Sequence, residues 1–128
     1  MTLEAKPLKS ERLILRQWQD SDRQAFGRMC ADPEQMLHLP STLDRSQSDT
    51  LMDRLSGLIT QRGWGLWAAE LRSTSSFIGF VGLHELAEAM SFAPGVEIGW
   101  RIEKEHWRQG YATEGAQLAL RYAFEELQ

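Results

Sequence analysis

One segment near the end of the chain has the period-two pattern of a β-strand with two unlike faces. Within residues 96–103, apolar side chains alternate with polar or small ones, the apolar set being Val96, Ile98, Trp100 and Ile102. Beyond residue 113 the period becomes helical, since Ala116, Leu120, Ala123 and Leu127 recur at steps of three or four. The pattern predicts a strand, a loop over residues 105–113 and an amphipathic helix, in that order.

Shorter patterns predict the remaining elements. Residues 1–9 have mixed polarity and are expected to form a loose leader. Asp20 is placed to cap the first helix, since a carboxylate can accept the free N–H groups of a first turn. The predicted order is a strand over 12–18, a helix over 20–30, a helical turn over 34–37, a helix over 46–61, a hairpin of strands 64–71 and 77–83, and a partly helical connection over 85–94.

Length and composition limit the choice of function. A chain of 128 residues fits one domain spanning residues 1–128. A formal net charge of -4, with no run of Lys or Arg, argues against direct binding of nucleic acid. Cys30 is the only cysteine, so no intrachain disulfide can form, and we expect it to be a buried apolar side chain. No apolar stretch is long enough for a membrane span, and the sequence predicts a cytoplasmic protein.

The loop over residues 105–113, here named the cradle loop, carries the clearest chemical signal. A loop that opens a helix directs unpaired backbone N–H groups and the positive end of the helix dipole at one point, which stabilises an anion. Gly110 would let the backbone approach such a ligand closely. Spacing alone fits an ordinary strand-to-helix turn equally well.

Residues 96–102, followed by Trp107, Arg108, Gln109, Gly110, Tyr111, Ala112 and Thr113, resemble the acetyl-CoA binding motif of the GNAT acetyltransferase superfamily. The branch that acetylates ribosomal-protein N-termini is the most similar. Gly110 and Ala112 match the motif, whereas Trp107 stands where Gln or Arg is expected. Residues 10–16, 20–22, 32–34 and 78–83 also resemble that branch, in the family's order.

The resemblance implies an α/β fold, with a mixed, mainly antiparallel sheet flanked by helices. Folds of this family continue with further strands after the cofactor helix, which residues 1–128 lack. We therefore expect either a truncated product or a second chain that supplies the rest. A strand edge left open over 96–102 would favour a homodimer.

The resemblance also implies site residues. Acetyl-CoA would be held by the cradle loop and by backbone atoms of the preceding strand, which together comprise Trp100, Arg101, Ile102, Trp107, Arg108, Gln109, Gly110, Tyr111, Ala112 and Thr113. Glu97 is the candidate catalytic base, the alternative being a solvated or salt-bridged strand residue. Tyr111 would either cover the cofactor or pack on the helix, and Thr113 would bind phosphate, cap the helix or do both.

Three scattered histidines, His38, His84 and His106, lack carboxylate or cysteine partners at ligand spacing, so no metal site is predicted. The function implied is an acetyl-CoA dependent N-acetyltransferase that acts on a primary amine. The acceptor would be a protein N-terminus or a small molecule. The alternative is a non-catalytic remnant that only binds CoA or self-associates.

Overall fold

A computed structural model of the chain describes residues 7–34, 42–85 and 96–126. Its sheet has five strands that pair with their neighbours in chain order. All four pairings in this part of the chain are antiparallel, so the antiparallel character of the expected sheet is observed and no parallel pair occurs there. The strands are β1 (Leu8–Lys9), β2 (Leu13–Arg16), β3 (Leu66–Leu71), β4 (Ser76–Glu85) and β5 (Val96–Ile102).

Two helices pack on one face of the sheet and one on the other. The helices are α1 (Arg23–Ala31), α2 (Arg45–Arg62) and α3 (Tyr111–Glu126). Phe26 of α1 stacks edge-on against Phe80 of β4, with ring centroids 6.2 Å apart. On the other face, Gly115 of α3 lies against Val81, where a methyl group would come within 3.0 Å of both Val81 methyl carbons. The fold is therefore the expected α/β arrangement, with helices flanking an antiparallel sheet.

The hydrophobic core lies on both faces of the central strands. Leu13, Ile59, Ala68, Ile78 and Val81 are fully buried. Within the described residues, no helix is long and apolar enough to cross a membrane.

Helix α2 begins and ends close to the predicted limits of 46–61. Asp44 caps it, because its carboxylate accepts the Gln47 N–H at 2.8 Å while the Gln47 side chain accepts the Asp44 N–H. Gly63 ends it in the left-handed region, with φ of 85°. Local capping signals therefore place this helix without help from the rest of the fold.

Two local expectations were wrong. The end of the predicted leader forms a strand, because Leu8 and Lys9 pair with Leu15 and Ile14. Asp20 does not cap the first helix; its carboxylate is exposed and accepts from Arg23 Nε. Asp22 accepts the backbone N–H of Gln19 instead, at 2.8 Å.

Asp22 was not predicted to be buried, and its position depends on Arg16. The Asp22 side chain is 2% exposed. Its carboxylate accepts hydrogen bonds from both terminal nitrogens of Arg16, at 2.8 and 3.0 Å. Arg16 Nε also donates to Glu70 on β3. A buried carboxylate is tolerable only when it is paired and hydrogen-bonded in this way.

The predicted helical turn over 34–37 and the connection over 85–94 fall almost entirely outside the described residues. Only Glu34 and the backbone of Glu85 belong to the described part, and Glu85 extends β4 beyond its predicted end at residue 83.

Candidate functional site

The cradle loop connects the end of β5 to the start of α3. A 3₁₀ turn over Lys104–His106 follows β5, and α3 begins at Tyr111. Two loop residues adopt left-handed backbone conformations, Arg108 with φ of 64° and Gly110 with φ of 82°. Gly110 is the position where glycine was expected to matter. A residue with a Cβ is strained when it adopts a left-handed conformation immediately before the helix.

The start of α3 presents backbone donors to a cavity. The Glu114 N–H donates to the Gly110 carbonyl at 3.0 Å, as the first α-helical bond. The N–H groups of Tyr111, Ala112 and Thr113 therefore have no acceptor within the helix. A cavity of about 250 Å³ adjoins all three residues. Free donors and the helix dipole together make this cavity favourable for an anion.

Eight of the ten predicted cofactor residues line this cavity. They are Trp100, Ile102, Trp107, Arg108, Gly110, Tyr111, Ala112 and Thr113, and His106 joins them. The other two lie elsewhere. The Arg101 side chain lines a cavity on the opposite face of β5, as strand alternation requires. The Gln109 side chain donates to the Glu105 carbonyl at 3.3 Å.

Trp107 stands where the family motif has Gln or Arg. It has a structural role that the sequence did not indicate. Its indole Nε1 donates to the carbonyl of Ile102 at 2.6 Å. The bond fastens the cradle loop to the end of β5. It also occupies an acceptor of the strand segment that was expected to pair with pantetheine.

Arg12, at the entry to β2, supports the cradle loop from the side. Its Nη1 donates to the Gln109 carbonyl at 2.8 Å, and its guanidinium carbon lies 4.4 Å from the centre of the Tyr111 ring. The Tyr111 ring therefore packs on Arg12 while it also lines the cavity. Sequence reasoning treated Arg12 only as part of a strand, because the partners that reveal its role lie about a hundred residues further on.

Glu114 holds Arg12 in this position. It accepts from Arg12 Nε at 2.6 Å, from the Arg12 backbone N–H at 2.8 Å and from the Ser10 hydroxyl. Burial raises the pKa of Glu114, but hydrogen bonds from Ser10 and Arg12 and the charge of Arg12 outweigh burial and lower the pKa below its ordinary value. Glu114 is thus an ionised anchor that faces Arg12.

Glu97 lies on the face of β5 opposite to Trp100 and Ile102, which line the cavity. It has a partner that the sequence did not indicate. In the β4–β5 register it stands across from His84, and His84 Nε2 lies 2.9 Å from Glu97 Oε1. Both side chains are partly exposed, at 39% and 53%. Only strand pairing brings them together, so the spacing of His84 along the sequence did not reveal this carboxylate partner.

Cys30 is buried, as the sequence predicted. Burial raises the pKa of its thiol to about 11, although the nearby charge of Arg101 opposes the rise. A thiol of this kind is a poor nucleophile near neutral pH. Across the described residues, no group of three or more His, Cys, Asp or Glu side chains is arranged to hold a metal ion.

Comparison with known proteins gives matches along almost the whole chain. The family model of the acetyltransferase (GNAT) domain matches residues 12–128. The uncharacterized N-acetyltransferase YoaA of Bacillus subtilis is 32% identical over 122 residues, which cover 94% of this chain and 67% of that protein. FsC-acetyl coenzyme A-N(2)-transacetylase of Aspergillus fumigatus is 32% identical over 137 residues, which cover 99% of this chain and 57% of that protein.

A solved structure confirms the architecture. The crystal structure of an acetyltransferase from Agrobacterium tumefaciens superimposes with a TM-score of 0.81 at 25% identity, covering 99% of this chain and 71% of that one. The chain thus spans roughly two thirds of the length of several proteins that it matches. The sheet, the loop before α3 and these matches together lead to one conclusion: this chain belongs to the GNAT acetyltransferase family.

Proposed function

We propose that the protein transfers an acetyl group from acetyl-CoA to a primary amine, with the cradle loop as the cofactor site. The observation that carries the proposal is the cavity at the start of α3, where three backbone N–H groups lack a helical acceptor. A pyrophosphate supplies the negative charge that such a cavity favours. The name of the Aspergillus fumigatus relative, FsC-acetyl coenzyme A-N(2)-transacetylase, agrees with this choice of donor.

The residues present fit part of acetyl-CoA. A cavity of about 250 Å³ accommodates the pyrophosphate but not the whole molecule, so the pantetheine arm must extend along β5. Trp100, which is 52% exposed, lies on this path and offers an aromatic surface to the arm. β5 lies at the edge of the sheet in the described residues, and the acetyl group would reach Glu97, on the other face of the strand, past this edge.

Transfer requires a neutral amine. The amine nitrogen attacks the thioester carbonyl carbon, so a C–N bond forms and the C–S bond breaks. The proton that the nitrogen loses passes to Glu97, directly or through a water molecule, and the departing thiolate takes a proton from solvent. His84 orients the Glu97 carboxylate through their 2.9 Å contact, and is therefore a positioning residue.

A pair of variants of α3 tests the cofactor site. Thr113→Trp should fill the cavity with a ring and weaken CoA binding at least about tenfold, since a well-placed phosphate contact is a charge-assisted hydrogen bond. Gln117→Trp is the matched control, because residue 117 is exposed one turn further along the helix and does not line the cavity. Calorimetry with CoA measures both. Equal binding by the two variants would place the cofactor elsewhere.

A second test concerns Glu97. Glu97→Gln should lower kcat mainly near neutral pH and recover in part at high pH, where more of the amine is already neutral. His84→Gln should show a smaller loss of kcat with KM for acetyl-CoA unchanged. A pH–rate profile of Glu97→Gln that runs parallel to that of the unmodified protein would leave Glu97 a solvated strand residue.

The same experiments separate the enzyme from its alternative, a CoA-binding module without activity. CoA binding without acetyl transfer to any amine would favour the module.

We propose a reducing compartment such as the cytoplasm as the site of action, which suits a chain with one buried cysteine. The narrower assignment to the ribosomal-protein branch stays a prediction from sequence resemblance.

A further inference from the structure

A groove runs between α2 and the sheet, on the face opposite to the cofactor cavity. Its larger part, a cavity of about 350 Å³, is lined by five leucines, Arg54, Arg62 and His84. A smaller cavity of about 180 Å³ shares Leu51, Leu55 and Leu66 with it and extends toward Arg101. These two cavities are named the α2 groove.

One end of the α2 groove reaches the Glu97 carboxylate. His84 lines the larger cavity, and its ring contacts Glu97 at 2.9 Å. Gly99 makes this arrangement possible, because a methyl group there would lie 3.2 Å from the His84 ring and 3.4 Å from a Leu66 methyl carbon. The groove therefore leads from α2 to the part of β5 where the proposed transfer takes place.

The walls of the groove are apolar, and its charged lining residues are cationic. No acidic residue is among the described residues that line either cavity. Arg54 is exposed at the rim and makes no recorded ion pair within the described part of the chain. Arg62 lies beside it with its guanidinium carbon 4.1 Å from the centre of the Trp64 ring. Such a groove attracts an anion on an apolar body and disfavours a second cation.

We propose that the α2 groove binds the acceptor, and that the acceptor is an amine joined by an apolar body to an anionic group. The amine lies at Glu97, the body lies on the leucines, and the anion pairs with Arg54. The proposal rests on the proposed function and narrows its substrate class. A polyamine is disfavoured, because its second ammonium group would lie beside Arg54 instead of an anion.

Three probes of equal chain length test the proposal by direct binding. Aminohexanoate carries an amine and a carboxylate at its two ends, hexylamine lacks the carboxylate, and hexamethylenediamine replaces it by a second amine. Calorimetry with the unmodified protein, without acetyl-CoA, should give aminohexanoate about tenfold tighter binding than hexylamine, since one charge-assisted hydrogen bond is at stake. Hexamethylenediamine should bind most weakly.

Two arginine variants on one helix localise the effect. Arg54→Gln should remove most of the preference for aminohexanoate. Arg45→Gln is the control, because Arg45 lies on the opposite side of α2, pairs with Asp49 at 3.0 Å and does not line the groove. Equal binding of the three probes, or an equal effect of the two variants, would overturn the groove assignment.

Acetyl transfer to the same probes separates this inference from the function on which it rests. Preferred binding of aminohexanoate without acetylation of any probe would support the groove as a ligand site and count against the transferase. Acetylation of all three probes, with equal affinity, would support the transferase and overturn the proposed acceptor class.

Discussion

Arg12 Nε and Glu114 Oε1 lie 2.6 Å apart and join the first long strand to the helix that opens at the cofactor cavity. The same guanidinium also donates from Nη1 to the Gln109 carbonyl. In a trans peptide the carbonyl and the following N–H point in opposite directions, so Arg12 directs the Gly110 N–H away from itself. The Arg12–Glu114 pair thus fixes the orientation of the Gly110 N–H, which is a donor of the cradle loop.

Arg12→Ala should therefore raise KM for acetyl-CoA about tenfold with little change in kcat, because the cradle loop loses a charge-assisted contact remote from the reacting atoms. Steady-state kinetics at varied acetyl-CoA concentration measures the effect. Arg72→Ala is the control, since Arg72 donates to the Ser10 carbonyl on the same segment without a recorded contact to the cradle loop in the described residues. An equal rise in KM for acetyl-CoA in both variants would indicate that the segment around Ser10 and Arg12 is loosened in general.

The lowered pKa of Glu114 predicts a pH-dependent contribution to stability. A carboxyl whose pKa is lower in the folded state stabilises the fold above its ordinary value near 4.3 and loses that contribution as the pH falls through the lowered value. The difference in free energy of unfolding between the unmodified protein and Glu114→Gln should be constant near neutral pH and shrink below about pH 4. Urea titrations at several pH values measure it, and a difference independent of pH would contradict the ionised anchor.

Asp22→Asn should destabilise the protein by about 2 kcal/mol, because it removes one of the two carboxylates that pair with the largely buried Arg16 guanidinium and leaves only Glu70. Asp20→Asn is a control on the same turn. The Asp20 carboxylate is 95% exposed, and its pairing with Arg23 should contribute less than about 1 kcal/mol. Denaturant unfolding of the two variants measures these losses in free energy of unfolding. Equal losses would show that the buried Asp22–Arg16 pair contributes no more than the exposed Asp20–Arg23 pair.

The protein should self-associate through the side of α3 and β5 that carries exposed apolar groups. Trp100, Leu120 and Phe124 are 52%, 42% and 65% exposed, and β5 lies at the edge of the sheet in the described residues. Apolar surface and an open strand edge favour a second copy as cover. Sedimentation at micromolar concentration should show a dimer that Phe124→Glu weakens and that Thr50→Glu, at an exposed position of α2 across the sheet, does not. A monomer at all concentrations would refute the prediction.

Periodicity and capping chemistry were sufficient for most of the described elements, with β1 as an exception. The alternation from Val96 to Ile102 predicted β5 with its observed limits, and Asp44 with Gln47 sets the start of α2 through contacts three residues apart. Asp20 shows the limit of local reasoning. Asp20 and Asp22 are both carboxylates near the start of α1, and the structure buries Asp22 because β2 brings Arg16 into contact with it, whereas Asp20 stays exposed.

The sequence by itself determined the order of strands and helices, the glycine before α3 and the family resemblance, because these depend on residues close together in the chain. The tertiary structure alone decided that Arg12 supports the cradle loop, that His84 contacts Glu97 and that a cationic groove lies beneath α2. Each of these depends on strand register or helix packing between distant segments. A one-residue change of register would reverse the face of every side chain involved.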